Sequence, residues 1–255
     1  MDFGHWQADA AWRRIDLLSD VHLHPGAPRT FEAWKRHLLH TPANAVLILG
    51  DLFEVWVGDD ARHDGFEREC TEVLRSAARH KALSFMAGNR DFLLGEAMRQ
   101  EASLRLLPDP TLAEAFGQRV LLSHGDALCL ADVDYQKFRA EVRSPAWQLA
   151  FLSLPLTERR QRARAMREAS RQHQAQMGGQ DQWVDADEAL ASEWLAGANA
   201  DLLVHGHTHR PATHALPLGR VRWVLGDWDF DAVPHRARLL SWTSQGLQSL
   251  DLAQP

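Results

Sequence analysis

The sequence has only two cysteines, Cys70 and Cys129, and it lacks any long apolar run. Two cysteines do not make the disulfide framework of a small secreted domain, so they favour a reducing compartment. No stretch approaches the ~18 apolar residues that a membrane-spanning helix needs. The first residues, MDFGHWQADAAWRR, are too polar for a signal peptide. We therefore expect a cytoplasmic chain that does not cross a membrane.

An excess of positive charge is missing as well, because the formal net charge is -6. This acidic balance disfavours general binding to nucleic acid, and we predict no nucleic-acid partner. Hydrophobic residues make up 45% of the 255 residues, which is enough to bury a core and excludes a disordered or fibrous chain. We predict a single domain over residues 1–255, and its oligomeric state stays open.

Short runs of apolar and branched residues recur along the chain and end in polar or glycine residues, as buried strands do. These runs are Ile15–Ser19, Val46–Leu49, Leu83–Ala87, Val120–Ser123, Leu202–Val204 and Val221–Leu225. Helical patterns separate them at Thr30–Leu39, Phe66–His80, Gly95–Ala102 and Asp185–Leu195. This alternation predicts an α/β protein, in which sites collect beyond the carboxyl ends of the strands.

One segment, from Tyr135 to Gln176, interrupts the alternation with a long helical pattern. Because proline interrupts a helix, Pro145 and Pro155 indicate that this segment divides into two helices. A helical pair inserted between strands usually covers a site, so we predict a cap. A surface hairpin with a solvated basic face is an equally good interpretation.

Metal-binding residue types follow five consecutive predicted strands. They stand in Asp20-Val21-His22, Gly50-Asp51, Gly88-Asn89-Arg90-Asp91, His124-Gly125-Asp126 and His205-Gly206-His207-Thr208-His209. Each motif alone is more typical of a turn or a solvated loop, but five at one sheet edge predict a metal site. Carboxylate, amide and imidazole ligands without thiolate suit Mn²⁺, Fe or Zn²⁺, and they favour Mn²⁺. His205 lies on the strand side of Gly206, which is more typical of a buried, hydrogen-bonded histidine than of a ligand.

The order of these motifs resembles that of the calcineurin-like metallophosphoesterases. The longer segments GDLFEVWVGDD (50–60), GNRDFLLG (88–95), HGDALCLADVDYQKFR (124–139) and HGHTHRPATH (205–214) are similar to the UDP-2,3-diacylglucosamine pyrophosphatases of lipid A biosynthesis. The similarity extends from Ile15 to Gly226. It implies two stacked mixed β-sheets flanked by helices, with a helical cap inserted at 135–178.

The resemblance also implies two Mn²⁺ ions, bridged by Asp51. It assigns Asp20, His22, Asp51 and His209 to one ion, and Asp51, Asn89, His124 and His207 to the other. It gives catalytic roles to Asp51, Asn89, Arg90 and His124, and substrate contacts to Asn89, Arg90, Asp132, Tyr135, Ser170 and His207. The implied reaction is attack on the phosphate next to uridine, which releases UMP and 2,3-diacylglucosamine 1-phosphate.

Arg90 stands where many calcineurin-like relatives have a histidine that protonates an alkoxide leaving group. Arginine keeps its proton at neutral pH, but it pairs bidentately with phosphate. A phosphate leaving group is a weak base that needs charge stabilisation more than a proton, so Arg90 agrees with a pyrophosphate substrate. The alternative is a structural ion pair between Arg90 and Asp91.

The chain departs from the family pattern after Ser170. The family often has a lysine about seven residues later, where this chain has Met177, and no lysine lies between Ser170 and Gly206. The corresponding phosphate contact is therefore absent or made by another residue.

The predicted cap combines an apolar stretch with many arginines. Phe151, Leu152, Leu154 and Leu156 either line a slot for acyl chains or form ordinary core packing. Six arginines follow within thirteen residues: Arg159, Arg160, Arg162, Arg164, Arg167 and Arg171. Basic residues near an anionic leaflet contribute ~1 kcal/mol each, so we predict peripheral attachment to the cytoplasmic face of the inner membrane.

Two other functions remain open. Another metallophosphoesterase, acting on a nucleotide or phosphoprotein, would keep the ligands but has no use for an apolar, arginine-rich cap. A non-catalytic binding scaffold on the same fold should lack some ligands, whereas all seven positions are filled here.

Overall fold

Two six-stranded mixed sheets form the centre of the computed structural model, which describes residues 2–176 and 184–253. The strand order is β12-β11-β2-β3-β4-β5 in the first sheet and β1-β6-β7-β8-β10-β9 in the second. The strands are β1 (Gly4–Gln7), β2 (Ile15–Leu18), β3 (Ala45–Leu49), β4 (Ala82–Met86), β5 (Leu104–Leu107), β6 (Thr111–Ala115), β7 (Gln118–Leu122), β8 (Leu202–His205), β9 (Thr213–Ala215), β10 (Val221–Val224), β11 (Arg238–Thr243) and β12 (Gly246–Asp251). Strands β2 to β5 are parallel, and so are β7, β8 and β10.

The α-helices lie between the strands in the chain. They are α1 (Pro28–His40), α2 (Gly65–Ala77), α3 (Glu96–Glu101), α4 (Val133–Val142), α5 (Pro145–Leu152), α6 (Leu156–Gln176) and α7 (Glu188–Ala198). Short 3₁₀ turns occur at Asp59–His63, Asp126–Leu128 and Pro217–Gly219.

Alternation along the central strands sends their side chains into different layers of the core. In β3, Leu47 joins the apolar cluster between the two sheets, whereas Ile48 joins the cluster that contains Trp34 of α1. In β7, Leu121 packs with Trp194 of α7. The layers are therefore helix, sheet, sheet and helix, which confirms the predicted α/β fold class.

All six predicted strands are present, with ends that differ by one or two residues, and so are the four predicted helices. Six further strands were not predicted. β6, for example, has the sequence TLAEA, whose residues favour a helix, and it forms a strand because it pairs with both β1 and β7. Since β5 and β6 intervene between β4 and β7, the five strands that carry the motifs are not consecutive, and they belong to two sheets.

The segment from Tyr135 to Gln176 contains parts of three helices, α4, α5 and α6, so the prediction of two is wrong. Each proline precedes or begins a helix instead of marking a single break. Pro145 is the first residue of α5, where Ser144 caps the helix by accepting from the Trp147 amide at 3.3 Å. Pro155 directly precedes α6. Proline suits the first turn of a helix because its missing N–H has no partner there.

Candidate metal centre

The carboxyl ends of five strands from both sheets meet at one end of the sandwich. Strands β2, β3 and β4 of the first sheet lead into Asp20, Asp51 and Asn89, and β7 and β8 of the second sheet lead into His124 and His207. The structure brings all seven predicted metal ligands together at this place. Contacts shorter than 4 Å join His209 to Asp20 and His22, Asp51 to His22 and His124, and Asn89 to His124 and His207.

Five of these seven residues have left-handed backbone conformations, with positive φ of 54° at Asp20, 51° at His22, 53° at Asp51, 68° at His207 and 52° at His209. Left-handed backbone is unfavourable for residues other than glycine and is concentrated at functional sites. The surrounding sheets therefore hold these side chains in a strained but defined arrangement.

Two glycines in the motifs allow the loops to approach each other closely. A Cβ on Gly88 would lie 2.1 Å from Asp51 Oδ1, and a Cβ on Gly206 would lie 2.3 Å from Asp20 Oδ2. Any side chain at either position would displace a carboxylate of the centre. The glycines are thus required by the packing of the loops.

Asp20 lies among three histidines. Its Oδ1 is 3.3 Å from His209 Nε2 and 4.0 Å from His22 Nε2, and its Oδ2 accepts from the His207 amide at 3.0 Å. Burial alone would raise the pKa of Asp20, but the positive charges available on His209, His124 and His22 outweigh it and lower that pKa. Asp20 is therefore a carboxylate over the whole neutral range.

Asp51 lies between two groups of imidazoles. Its Oδ2 is 3.9 Å from His22 Nε2, and its Oδ1 is 3.7 Å from His124 Nε2. The Asn89 amide lies beside two imidazoles. In one orientation of this amide, Asn89 Oδ1 is 2.9 Å from both His124 Nε2 and His207 Nδ1. In the rotated orientation, the amide nitrogen faces those two nitrogens and the oxygen accepts from Arg90 Nε at 3.2 Å.

The donor set fits divalent cations. Asp20, His22 and His209 each place one donor atom within 4.8 Å of the others, and so do Asp20, Asp51 and His124. The first orientation of the Asn89 amide adds a carbonyl oxygen aimed at the same space as two imidazole nitrogens. Oxygen and imidazole donors without thiolate suit Mn²⁺, Fe or Zn²⁺. Asp20 belongs to both of these groups of three residues, although the family resemblance assigned it to only one ion.

Asp91 serves the backbone instead of pairing with Arg90. Its carboxylate accepts from the amides of Leu52 at 2.7 Å and Gly88 at 2.9 Å, which ties the two motif loops together. Among the described residues, no ion pair joins it to Arg90. Burial and then the neighbouring charge of Asp51 raise the pKa of Asp91 to about 7. The Arg90 amide donates to Asp51 Oδ1 at 2.8 Å, so its backbone is fixed beside the centre.

Asp126 connects the centre to the first cap helix, and its role was not predicted. This carboxylate is fully buried, and its Oδ2 accepts from Tyr135 Oη at 2.7 Å, from Arg139 Nε at 2.8 Å and from Arg143 at 3.1 Å. The Tyr135 ring stacks on His207, with ring centroids 5.8 Å apart. The spacing 135, 139 and 143 lies on one helix face, and this was the available signal.

The other two predicted substrate contacts belong to the part of the chain that forms the cap helices α4 and α6. Asp132 is the N-cap of α4, where its Oδ1 accepts from the Tyr135 amide at 3.0 Å. Ser170 falls within α6, but its side chain lies outside the described residues, as does Met177.

His205 is a buried, hydrogen-bonded histidine, as predicted. Its Nδ1 lies 2.8 Å from the Gly206 carbonyl oxygen, and its Nε2 lies 3.3 Å from a guanidinium nitrogen of Arg222. Arg222 in turn donates to Asp185 at 3.0 Å. Burial, followed by the charge of Arg222, lowers the pKa of His205 to about 3.

Most cap arginines pair with carboxylates, contrary to the expectation of a free basic face. Arg159 is buried and contacts Asp60, Arg160 contacts Asp64 and Glu67, Arg162 contacts Glu158, and Arg167 contacts Glu54. Arg164 is exposed and donates to the Arg160 carbonyl oxygen at 3.4 Å, and the side chain of Arg171 lies outside the described residues. These pairs offset charge that the segment would otherwise present to an anionic surface.

The apolar cap stretch divides between core and surface. Phe151 is buried and stacks on Trp147 at 4.7 Å, and Leu154 and Leu156 pack against the same cluster. For these residues, core packing is the correct alternative. Leu149 and Leu152 are 74% and 42% exposed. Other exposed apolar side chains of this region are Leu130, Val133, Phe138 and Met166.

Across 2–176 and 184–253, no helix combines the length and the hydropathy of a membrane span. Both cysteines are buried free thiols.

Comparison with known proteins places the chain in a family. A family model described as calcineurin-like phosphoesterase matches residues 13–211. The UDP-2,3-diacylglucosamine hydrolase of Stenotrophomonas maltophilia is 42% identical over 222 residues, covering 83% of this chain and 90% of that protein. The same-named protein of Chromobacterium violaceum is 45% identical over 221 residues, covering 84% and 90%. Vps29 of Chaetomium thermophilum superposes with a TM-score of 0.48 at 13% identity, over 94% of this chain and 88% of that one. Because the family model spans most of the chain and agrees with relatives above 40% identity, the chain belongs to the calcineurin-like phosphoesterase family.

Proposed function

We propose that the chain hydrolyses the pyrophosphate bond of UDP-2,3-diacylglucosamine, a step of lipid A biosynthesis. Water adds to the phosphate next to uridine, and the products are UMP and 2,3-diacylglucosamine 1-phosphate. One observation carries the proposal: the chain combines seven converging carboxylate, amide and imidazole side chains with 42% identity to a hydrolase named for this substrate.

We assign two Mn²⁺ ions to the centre. Asp20, His22, Asp51 and His209 would hold one, and Asp51, Asn89, His124 and His207 the other. The position of Asp51 between His22 and His124 supports its role as the shared ligand. When bound, a pair of divalent cations supplies a water of lowered pKa and positive charge for the phosphoryl oxygens.

Arg90 stabilises the departing phosphate in this proposal. Its backbone is fixed by the hydrogen bond from its amide to Asp51, so Arg90 starts beside a proposed ligand. The Asp91 carboxylate is occupied by backbone amides. The planar guanidinium therefore remains suited to pair with phosphate oxygens, as the charge on a leaving phosphate requires.

The glucosamine phosphate end of the substrate lies, in this proposal, against the first turn of α4. The Tyr135 hydroxyl holds Asp126 and its ring stacks on His207, so in this proposal the substrate contacts the ring of Tyr135 and not its hydroxyl. Asp132 stands one turn earlier, at the helix N-terminus. Ser170 of α6 completes the set of proposed contacts.

The acyl chains require an apolar surface, and the cap has one. Leu149 and Leu152 of α5 are exposed, as are Val133 and Phe138 of α4. Each methylene that leaves water contributes ~0.8 kcal/mol, so partial burial of two chains against this surface is enough to direct the lipid to the centre. The same surface supports peripheral attachment to the cytoplasmic face of the inner membrane more strongly than the paired arginines do.

Hydrolysis in H₂¹⁸O tests this function directly. The metal-free protein is reloaded with Mn²⁺ and incubated with UDP-2,3-diacylglucosamine in H₂¹⁸O. The masses of the two products are then measured by mass spectrometry. We expect one ¹⁸O in UMP and none in the sugar phosphate. Asp51→Asn, purified in the same way, should release neither product and controls for contaminating phosphatases.

Two outcomes would contradict the proposal. If label enters the sugar phosphate, the attack is at the other phosphorus. If the lipid is not cleaved while a small aryl phosphodiester is cleaved rapidly, the chain is a phosphoesterase of another substrate class.

A further inference from the structure

Glu54 lies between a proposed metal ligand and the cap. Its Oε2 is 3.2 Å from His22 Nδ1, and its Oε1 pairs with the guanidinium of Arg167 on α6. One carboxylate therefore contacts the centre on one side and the last cap helix on the other.

The backbone of Glu54 is fixed independently of this contact. Its amide donates to the Leu23 carbonyl oxygen at 3.1 Å, and Leu23 and Phe53 form a parallel bridge. The loop that carries His22 and the loop that carries Glu54 are thus joined in register. Only the side chain of Glu54 depends on the cap.

The orientation of the His22 ring makes its contact with Glu54 important. Its Nε2 faces the centre, 3.2 Å from His209 Nε2 and 3.9 Å from Asp51 Oδ2. A neutral imidazole that offers Nε2 to a metal carries its proton on Nδ1, and a carboxylate at Nδ1 fixes both the tautomer and the ring angle. Glu54 is the carboxylate beside this atom: its Oε2 lies 3.2 Å from His22 Nδ1, although the two groups are not aligned as a hydrogen bond and Nδ1 has no other hydrogen-bond partner among the described residues.

Arg167 keeps Glu54 in position for this task. The Glu54 and Arg167 side chains are 18% and 20% exposed, so water screens their ion pair less than it screens a surface pair. The ion pair with Arg167 restricts the positions that the Glu54 carboxylate can take. The cap helix therefore restricts a side chain that touches a ligand.

We propose that Arg167, Glu54 and His22 form a relay that couples the seating of α6 to the metal affinity of the centre. Arg167 and Glu54 are positioning residues: Glu54 holds the His22 ring, and Arg167 holds Glu54. The inference rests on the proposed function, because it requires His22 to be a metal ligand.

Calorimetric titration of the metal-free, full-length protein with Mn²⁺ tests the relay. Outer partners of ligand histidines typically change metal affinity 10–100-fold, so Glu54→Gln should weaken one of two Mn²⁺ sites by about that factor. Arg167→Met should weaken the same site by a smaller factor, and Arg167→Lys, which keeps the charge, should restore part of the loss.

Arg162→Met is the matched control. Arg162 stands on the same helix and pairs with Glu158 one turn away, so its replacement removes the same charge and should leave Mn²⁺ binding unchanged. The thermal unfolding midpoint of each metal-free variant shows whether the fold is intact.

The double variant Glu54→Gln/Arg167→Met separates a relay from two independent effects. In a relay, Arg167 acts only through Glu54, so the double variant should bind Mn²⁺ as Glu54→Gln does. The relay is refuted if both single variants bind like the parent, if only the unfolding midpoint changes, or if the two losses multiply. A parent protein that binds no Mn²⁺ would instead refute the metal centre itself, and the relay with it.

Discussion

Replacing Asp126 by asparagine should destabilise the protein strongly. The Asp126 carboxylate is fully buried and accepts from Tyr135, Arg139 and Arg143, and the two guanidinium groups are 23% and 22% exposed. Asparagine keeps the shape of the side chain but removes its negative charge, which leaves Arg139 and Arg143 without their counterion. If its amide nitrogen takes the place of Oδ2, its N–H groups face the donors of Tyr135, Arg139 and Arg143.

The cost can be worked out from this arrangement. Removing one partner of a buried ion pair costs ~3–5 kcal/mol, and the partial exposure of the arginines places Asp126→Asn at the lower end, about 3 kcal/mol. For a chain of this size, each kcal/mol lowers the unfolding midpoint by ~2–4 °C. We expect a decrease of about 6–12 °C, measured by differential scanning calorimetry.

The same replacement should reduce activity in the folded protein. Tyr135 stacks on His207, and Arg143 also donates to the Gly88 carbonyl oxygen at 3.1 Å, so α4 and the centre are joined through this carboxylate. We therefore expect kcat/KM for the diacylated substrate to fall well below that of the parent at a temperature where both are folded.

Asp134→Asn is the matched control, because Asp134 lies on the same helix, is 80% exposed and pairs with Lys137 one turn away. It should leave both the midpoint and kcat/KM unchanged. An Asp126→Asn variant that melts and turns over like the parent would show that this carboxylate does not join the cap to the centre.

Asp51→Ala should abolish hydrolysis and lower the bound Mn²⁺ measured by elemental analysis, because both proposed ions lose a ligand; retention of two ions would contradict the assignment. Arg90→Lys should lose much of kcat while keeping Mn²⁺, since lysine cannot form the planar bidentate contact with phosphate; kinetics equal to the parent would make Arg90 structural. Leu149→Glu should raise KM for the diacylated substrate and leave a small aryl phosphodiester and the thermal midpoint unaffected; a parallel loss on both substrates would argue against an acyl surface. Burial alone would raise the pKa of Asp16, but the neighbouring His37 side chain and the hydrogen bonds from Arg14 and Thr41 outweigh it and lower that pKa. A lowered folded-state pKa stabilises the fold fully above the unfolded value of about 3.9 and less as the pH falls. Urea titrations should therefore show that the difference in unfolding free energy between parent and Asp16→Asn is full at pH 7 and shrinks as the pH falls below about 3.9. A difference that does not change with pH would show that the charge is not responsible.

The central strands could be read from the sequence because they are buried on both faces. β3 has the sequence AVLIL and is buried at every position, so its apolar run has no polar interruption to obscure it. β12, with the sequence GLQSLD, lies at the edge of the first sheet and is partly exposed. Edge strands such as β12 depend on pairing with a neighbour, which a local pattern does not reveal.

The candidate site divides in a similar way. Asp20, Asp51 and His124 could be singled out because each stands two residues after the end of a recognisable buried strand. Asp126 and Glu54 stand inside the same motifs, yet their roles depend on partners 9 to 113 residues away in the chain. Burial of a carboxylate is decided by which helix covers it, and the cap helices are brought there only by folding.

The sequence by itself determined the fold class, the family and the seven side chains that meet at the strand ends, because strand periodicity and short motifs are local properties. Tertiary structure decided what those side chains touch. In the folded chain Arg167 pairs with Glu54, and Asp126 accepts hydrogen bonds from Tyr135 and two arginines. Phe151 is buried, whereas Leu149 is exposed. The physical reason is that charge pairing and burial depend on distances between segments remote in the chain, and those distances exist only when the two sheets and the cap have packed together.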